Sequence, residues 1–102
     1  MKHAGAEALG VLSELLQKLR NRTSLVERKP GIFYAKGRAF LHFHEDRAGL
    51  FADLRHGSDW LRLAVNDHDD RERLLAAVDR TLGGENTARS APSVSKDGIA
   101  TG

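Results

Sequence analysis

AFLHFHEDRAGLFADLR, residues 39–55, alternates its side chains with the two-residue period of a β-strand on both sides of a short polar break. Leu41 and Phe43 point to one face, while Phe40, His42 and His44 point to the other. Treating Glu45 to Ala48 as a four-residue loop sets His44 opposite Gly49, Phe43 opposite Leu50, Leu41 opposite Ala52 and Ala39 opposite Leu54. The last three pairs are apolar, and a slip of one residue would mix the two faces. On the other face His42 then lies across from Phe51, and Phe40 across from Asp53. The stretch predicts a hairpin with one face for a core and one carrying rings, imidazoles and a carboxylate.

Turn signals spaced evenly around this hairpin extend it into a sheet. Pro30-Gly31 suits a type II turn between strands at Leu25–Lys29 and Ile32–Ala35, because Pro fixes φ and Gly accepts a positive one. Lys36-Gly37 reads as a two-residue turn, setting Tyr34 opposite Ala39 on the core face and Phe33 opposite Phe40 on the other. His56-Gly57-Ser58-Asp59 leads to a fifth strand over Trp60–Val65. Before the strands, Leu9, Leu12, Leu16 and Leu19 recur at helical spacing within Ala6–Arg20, with Val11 and Leu15 widening the stripe. After them, Leu75, Val78 and Leu82 share one face of a helix over about Asp70–Leu82. Asp69 and Glu72 have the spacing of a capping box, and Gly83 suits the left-handed C′ position. The expected fold is α+β: helix, five-strand antiparallel meander, helix, with both helices packed on one sheet face as a two-layer sandwich. Residues 1–83 form the single domain, and 84–102, rich in Ser, Ala, Thr and Gly, a disordered tail.

Composition narrows the chemistry. The 102 residues contain no cysteine, which excludes thiol catalysis, thiolate metal sites and disulfides, and fits a cytoplasmic setting. No apolar run approaches the ~18 residues of a membrane span, and Glu7 and Glu14 interrupt the pattern where a secretory signal would need continuity. Charge is uneven: residues 1–40 hold eight Lys/Arg against three acids, and 41–102 hold eight against eleven, giving the net +2. Arg28, Lys29, Lys36 and Arg38 sit at the first two hairpin turns, where a phosphate or nucleic-acid contact and an ordinary solvated surface are both open readings.

The face without helices carries the candidate site: Phe33, Phe40, His42, His44, Phe51 and Asp53. An apolar patch rimmed by polar groups on a small domain points to an interaction, first with a second copy as a homodimer. Cover by the tail or a nearby loop is the plainer alternative. His42 and His44 also have the spacing of metal ligands on a strand, with Asp53 or Glu45 as a third, although Ala48 and Gly49 stand where a cupin motif expects Glu. The same residues suit an acid–base pair, but Ser58 lacks the Gly-x-Ser-x-Gly context of a nucleophile and no phosphate-binding glycine loop is present. The reading leans away from an enzyme and calls for no cofactor. Asp67, Asp69, Asp70 and Glu72 around His68 are better explained by helix capping than by calcium. Trp60, beside a turn, is expected to anchor the core.

The string FLHFHEDRAGLFADLR resembles a segment of small bacterial proteins of no assigned activity. More loosely, GIFYAKGRAF and the element order from Ala6 to Leu82 resemble the α+β domains of the YjbR and TfoX N-terminal type. That resemblance implies a compact domain with a DNA- or protein-binding role and no catalytic residues. The chain departs from those families in having Arg55 and Arg62 where they carry Lys near the end of the later strand.

Overall fold

A computed structural model describes residues 2–85. The chain is α+β, with a mostly antiparallel sheet and three helices among the described residues. A two-residue strand β1 (Lys2–His3) precedes helices α1 (Ala6–Val11) and α2 (Ser13–Arg20). Strands β2 (Val26–Lys29), β3 (Ile32–Ala35), β4 (Arg38–Asp46), β5 (Gly49–His56) and β6 (Asp59–Ala64) follow, and α3 (His68–Glu85) closes the order. The sheet runs β2-β3-β4-β5-β6, each strand antiparallel to its neighbour. β1 pairs with β4 beyond the end of β3, which no periodicity in two residues signals.

The expected first helix is interrupted at Leu12, between α1 and α2. The leucine stripe still reaches the core, since Leu12, Leu15, Leu16 and Leu19 are buried, whereas Val11 is exposed. They join Leu41, Phe43, Ala52 and Leu54 of the central strands and Leu74, Leu75 and Val78 of α3 in one apolar cluster. Burial of leucines on this scale, worth roughly 1.5–3 kcal/mol each, fixes which sheet face turns inward. Among the described residues no helix is long and apolar enough to cross a membrane.

The turn before β5 is tighter than its polar run suggests. Asp46 pairs with Gly49, leaving only Arg47 and Ala48 in the loop, and Asp46 Oδ1 accepts the Ala48 N–H at 2.7 Å. The partners therefore move by two residues: Leu41 faces Leu54, Phe43 faces Ala52, His42 faces Asp53 and His44 faces Phe51. A shift of two preserves the faces, so the separation of core from polar residues on this hairpin is as expected.

Between β3 and β4 the expectation fails. Tyr34 pairs with Ala39 as expected, but on the face away from the core instead of on it, because Phe33 pairs with Leu41 and Phe40 is the extra residue of a β-bulge. The bulge turns Phe40 inward, and Phe33, opposite core-facing Leu41, follows. Phe33 is fully buried and Phe40 nearly so; both are core residues rather than part of an uncovered face.

The last helix begins earlier and runs longer. Asp67 Oδ1 accepts the Asp70 N–H at 2.8 Å, and Asp70 Oδ2 accepts the Asn66 N–H at 3.0 Å. The cap therefore uses Asp67 and Asp70 in place of Asp69 and Glu72. Gly83 lies within α3, not after it. Of the expected tail, residues 86–102 fall outside the described residues.

Candidate functional site

β4 and β5 present His42, His44, Phe51 and Asp53 on the sheet face opposite Leu41, Phe43, Ala52 and Leu54. β6 adds Arg62 opposite Asp53 and Trp60 opposite Arg55. β1 adds His3 directly opposite His44. Three imidazoles and a carboxylate thus meet on one patch, although they come from positions 3, 42, 44 and 53.

The face is less bare than the sequence implies. His44 and Asp53 are both buried, each under 10% exposed. The His44 ring lies 4.8 Å from the His42 ring and 5.0 Å from that of His3. His42 stacks near His3 at 5.9 Å and touches Trp60 at 4.7 Å. Arg55 lies over the Trp60 ring, 4.5 Å from its centroid, and donates from Nε to the Ala39 carbonyl at 2.6 Å. Trp60 is 41% exposed and caps this cluster from outside instead of anchoring the core.

Polar contacts converge on a single atom. His44 Nε2 is 2.8 Å from His42 Nδ1 and 3.0 Å from Asp53 Oδ2. Arg62 grips the same carboxylate with Nε to Oδ1 at 2.7 Å and Nη2 to Oδ2 at 2.8 Å. That grip, against the cost of burial, holds the Asp53 carboxyl below its ordinary value. Burial, and after it the neighbouring His44, push the His42 imidazole below its ordinary value, with Asp53 opposing. The three ligand atoms of His42, His44 and Asp53 all lie within 4.8 Å of one another.

These contacts bear on the chemical readings. A carboxylate that orients a catalytic histidine holds one ring nitrogen while the other meets the reacting group. Here both partners sit on Nε2, and His44 Nδ1 is buried with no hydrogen-bond partner among the described residues, so the ring does not stand between Asp53 and His42 as a relay. An ionised carboxylate only accepts, so a proton on Nε2 can go to Asp53, while the sense of the His42 Nδ1 contact depends on the tautomers of the two rings. With the facing nitrogens unprotonated, His42, His44 and Asp53 offer three donor atoms grouped within 4.8 Å of one another. An ion with nitrogen ligands at about 2.0–2.1 Å spaces neighbouring donor atoms roughly 3 Å apart, close to the 2.8 and 3.0 Å observed.

Of the residues singled out from the sequence, His42, His44, Phe51 and Asp53 lie together, while Phe33 and Phe40 do not. His3, Trp60 and Arg62 are the members that sequence reasoning missed. Arg62 and Trp60 lie two and four residues before Ala64 on a strand whose pairing sets them beside Asp53 and Arg55, so the register of β6 was the available signal. His3 had none beyond its residue type. The basic turn residues lie elsewhere; Arg28, for example, packs over the Tyr34 ring at 4.6 Å. Comparison with protein families, curated proteins and solved structures finds no match for this chain.

Proposed function

We propose that this protein is a binding module whose histidine-lined sheet face takes a divalent transition-metal ion of the zinc class. The observation that carries the reading is the close grouping of donors from His42, His44 and Asp53, with His44 Nε2 2.8 Å from His42 Nδ1 and 3.0 Å from Asp53 Oδ2. Two imidazoles and a carboxylate are a donor set that suits zinc and its neighbours. Arg62 supports the arrangement by keeping Oδ1 while Oδ2 turns to the ion, an outer-shell contact that orients a ligand. With Nε2 on the ion, His44 Nδ1 holds the proton without a partner, at a cost of about 1–3 kcal/mol. That is small beside the roughly 10–16 kcal/mol of a structural zinc site. In this reading the helices form a second layer behind the sheet, and the ion sits on the side they leave uncovered.

Titration of the metal-free protein with Zn²⁺ by calorimetry tests the proposal. One ion per chain is expected, and the double variant His42→Ala/His44→Ala should bind none. Absence of binding in the wild type, or unchanged binding in the double variant, overturns it.

Self-association is a second reading, favoured by the edge strand β6, where Trp60 and Leu61 are both exposed. With Phe33 and Phe40 in the core, Trp60 and Phe51 carry the apolar contact on the histidine face, and Leu61 lies on the other side of the edge strand. Sedimentation of wild type and Trp60→Ser over a range of concentrations separates a dimer from a monomer.

A further inference from the structure

The two-residue strand β1 has no apolar reason to stay on the sheet. Lys2 and His3 are exposed, and the segment is held by the Ala4 N–H on the Phe43 carbonyl at 3.0 Å and the Gly5 N–H on Glu45 Oε2 at 2.6 Å. Yet its register sets His3 directly opposite His44. In an antiparallel pair, directly opposed residues share a face, so the His3 ring lies beside those of His44 and His42. Its centroid is 5.0 Å from that of His44 and 5.9 Å from that of His42, and those two are 4.8 Å apart. Three imidazoles bound by nitrogen to one ion at about 2.0–2.1 Å have centroids roughly 5 Å apart. The triangle of rings already has nearly that size. Being exposed, His3 is also able to turn about its side-chain torsions at little cost.

We infer that His3 is a further ligand of the ion, and that metal binding clamps β1 onto β4. The inference rests on the metal-binding reading above and adds to it a fourth protein donor and a conformational consequence. With His3 bound, the site is His₃Asp and closed, the form of a structural zinc centre; without it, an open position is left. An ion that bridges β1 and β4 stabilises the docked state by the extra affinity that His3 contributes, so occupancy and docking are linked. The N-terminal strand then becomes a strap that zinc fastens, and any partner reading β4 along this edge meets a different surface in the two states.

The test uses the full chain, Zn²⁺ as the probe and two readouts: affinity by calorimetry, and amide exchange of Ala4 and Gly5 by NMR. These two amides bond to β4 just beyond the ladder pairs Lys2–Glu45 and His3–His44. Because the three-donor site stays in place when β1 opens, saturating zinc slows opening by the ratio of the affinities with and without His3, at least roughly 10-fold. In wild type, zinc should slow Ala4 and Gly5 exchange markedly. In His3→Ala and His3→Gln it should leave both unchanged, while affinity drops by at least the roughly 10-fold that loss of a supporting group costs. Because His3 is exposed, neither variant threatens the fold. If the variants bind zinc as tightly as wild type and zinc still protects Ala4 and Gly5, the inference is overturned and the His42–His44–Asp53 site stands. If wild type binds no zinc, the site itself fails and the inference with it.

Discussion

His42 and His44, separated on β4 by a single core residue, bring ring nitrogens Nδ1 and Nε2 within 2.8 Å of each other. Neighbouring same-face positions along a strand lie close to 7 Å apart, so the two side chains lean together rather than stand parallel. Asp53, opposite His42 on β5, supplies the reason, since its carboxylate draws His44 Nε2 to 3.0 Å and is itself fixed by Arg62. Asp53→Asn keeps the volume but removes the charge that both neighbours address. The folded state should lose about 1–3 kcal/mol, read as a lower urea midpoint with zinc absent. An unchanged midpoint would mean that this carboxylate does not organise the face.

Trp60, the only tryptophan in the chain, offers a direct optical readout. Its ring lies 4.7 Å from that of His42, so a paramagnetic ion held by His42 sits within quenching range. Addition of Co²⁺ should quench Trp60 emission and saturate at one ion per chain. In His42→Ala the emission should respond only to collisional quenching, linear in cobalt with no endpoint. Saturable quenching that survives the substitution would place the ion elsewhere.

Phe40 and Phe51 test the bulge. Strict alternation puts both on the histidine face, but Phe40 is 3% exposed within the core cluster whereas Phe51 is only partly buried. Phe40→Ala should cost about 3–5 kcal/mol, the range for a buried phenylalanine. Phe51→Ala should cost clearly less. Equal urea midpoints for the two variants would argue for an unbroken register between β3 and β4.

That bulge also marks the limit of what the residues disclosed by pattern alone. Five strands, two helical stripes and the inward set Leu41, Phe43, Ala52 and Leu54 follow from periodicity and turn chemistry, because each repeats a local signal several times over. Phe40 carries no such signal: one extra residue leaves composition intact and reverses every face beyond it. His3 is invisible for a different reason, since a two-residue strand has no period and is recruited by the exposed end of β4. The site was half legible because His42 and His44 share a strand, while Asp53 came from a register two residues off yet on the right face. His3, Trp60 and Arg62 required the tertiary fold.

Gly49 closes the β4–β5 turn at φ 131°, a conformation that side chains rarely adopt. A Cβ there would also lie 2.5 Å from Asn66 Oδ1, the atom that accepts the Leu50 N–H at 2.8 Å. Gly49→Ala should therefore destabilise on two counts, backbone strain of order 1–3 kcal/mol and displacement of Asn66. If only strain matters, Asn66→Ala should cost as much in the Gly49→Ala background as in wild type, whereas a displaced Asn66 makes it cost nothing further; a double-mutant cycle on urea midpoints reads the coupling.

Arg20 on α2 and Glu27 on β2 tie helix to sheet and give the acid limb a defined sign. Arg20 Nη2 donates to Glu27 Oε2 at 3.0 Å, and the Gly31 N–H reaches the same oxygen at 2.9 Å. The hydrogen bond from Arg20 holds the Glu27 carboxyl below its ordinary value near 4.5, with burial opposing and the Gly31 amide assisting. A carboxyl whose pKa is lower folded than unfolded binds fewer protons in the folded chain. Its stabilisation is therefore complete above the unfolded value and is lost as pH falls through the folded one. Because the pair is partly exposed, its contribution at neutral pH is only about 0.5–1 kcal/mol. Glu27→Gln should lower the urea midpoint slightly at pH 7 and flatten its decline below pH 4.5, so that the two proteins converge in acid. Parallel declines that never converge would show that Glu27 titrates alike in the folded and unfolded chains, and that the Arg20 contact contributes nothing to acid stability.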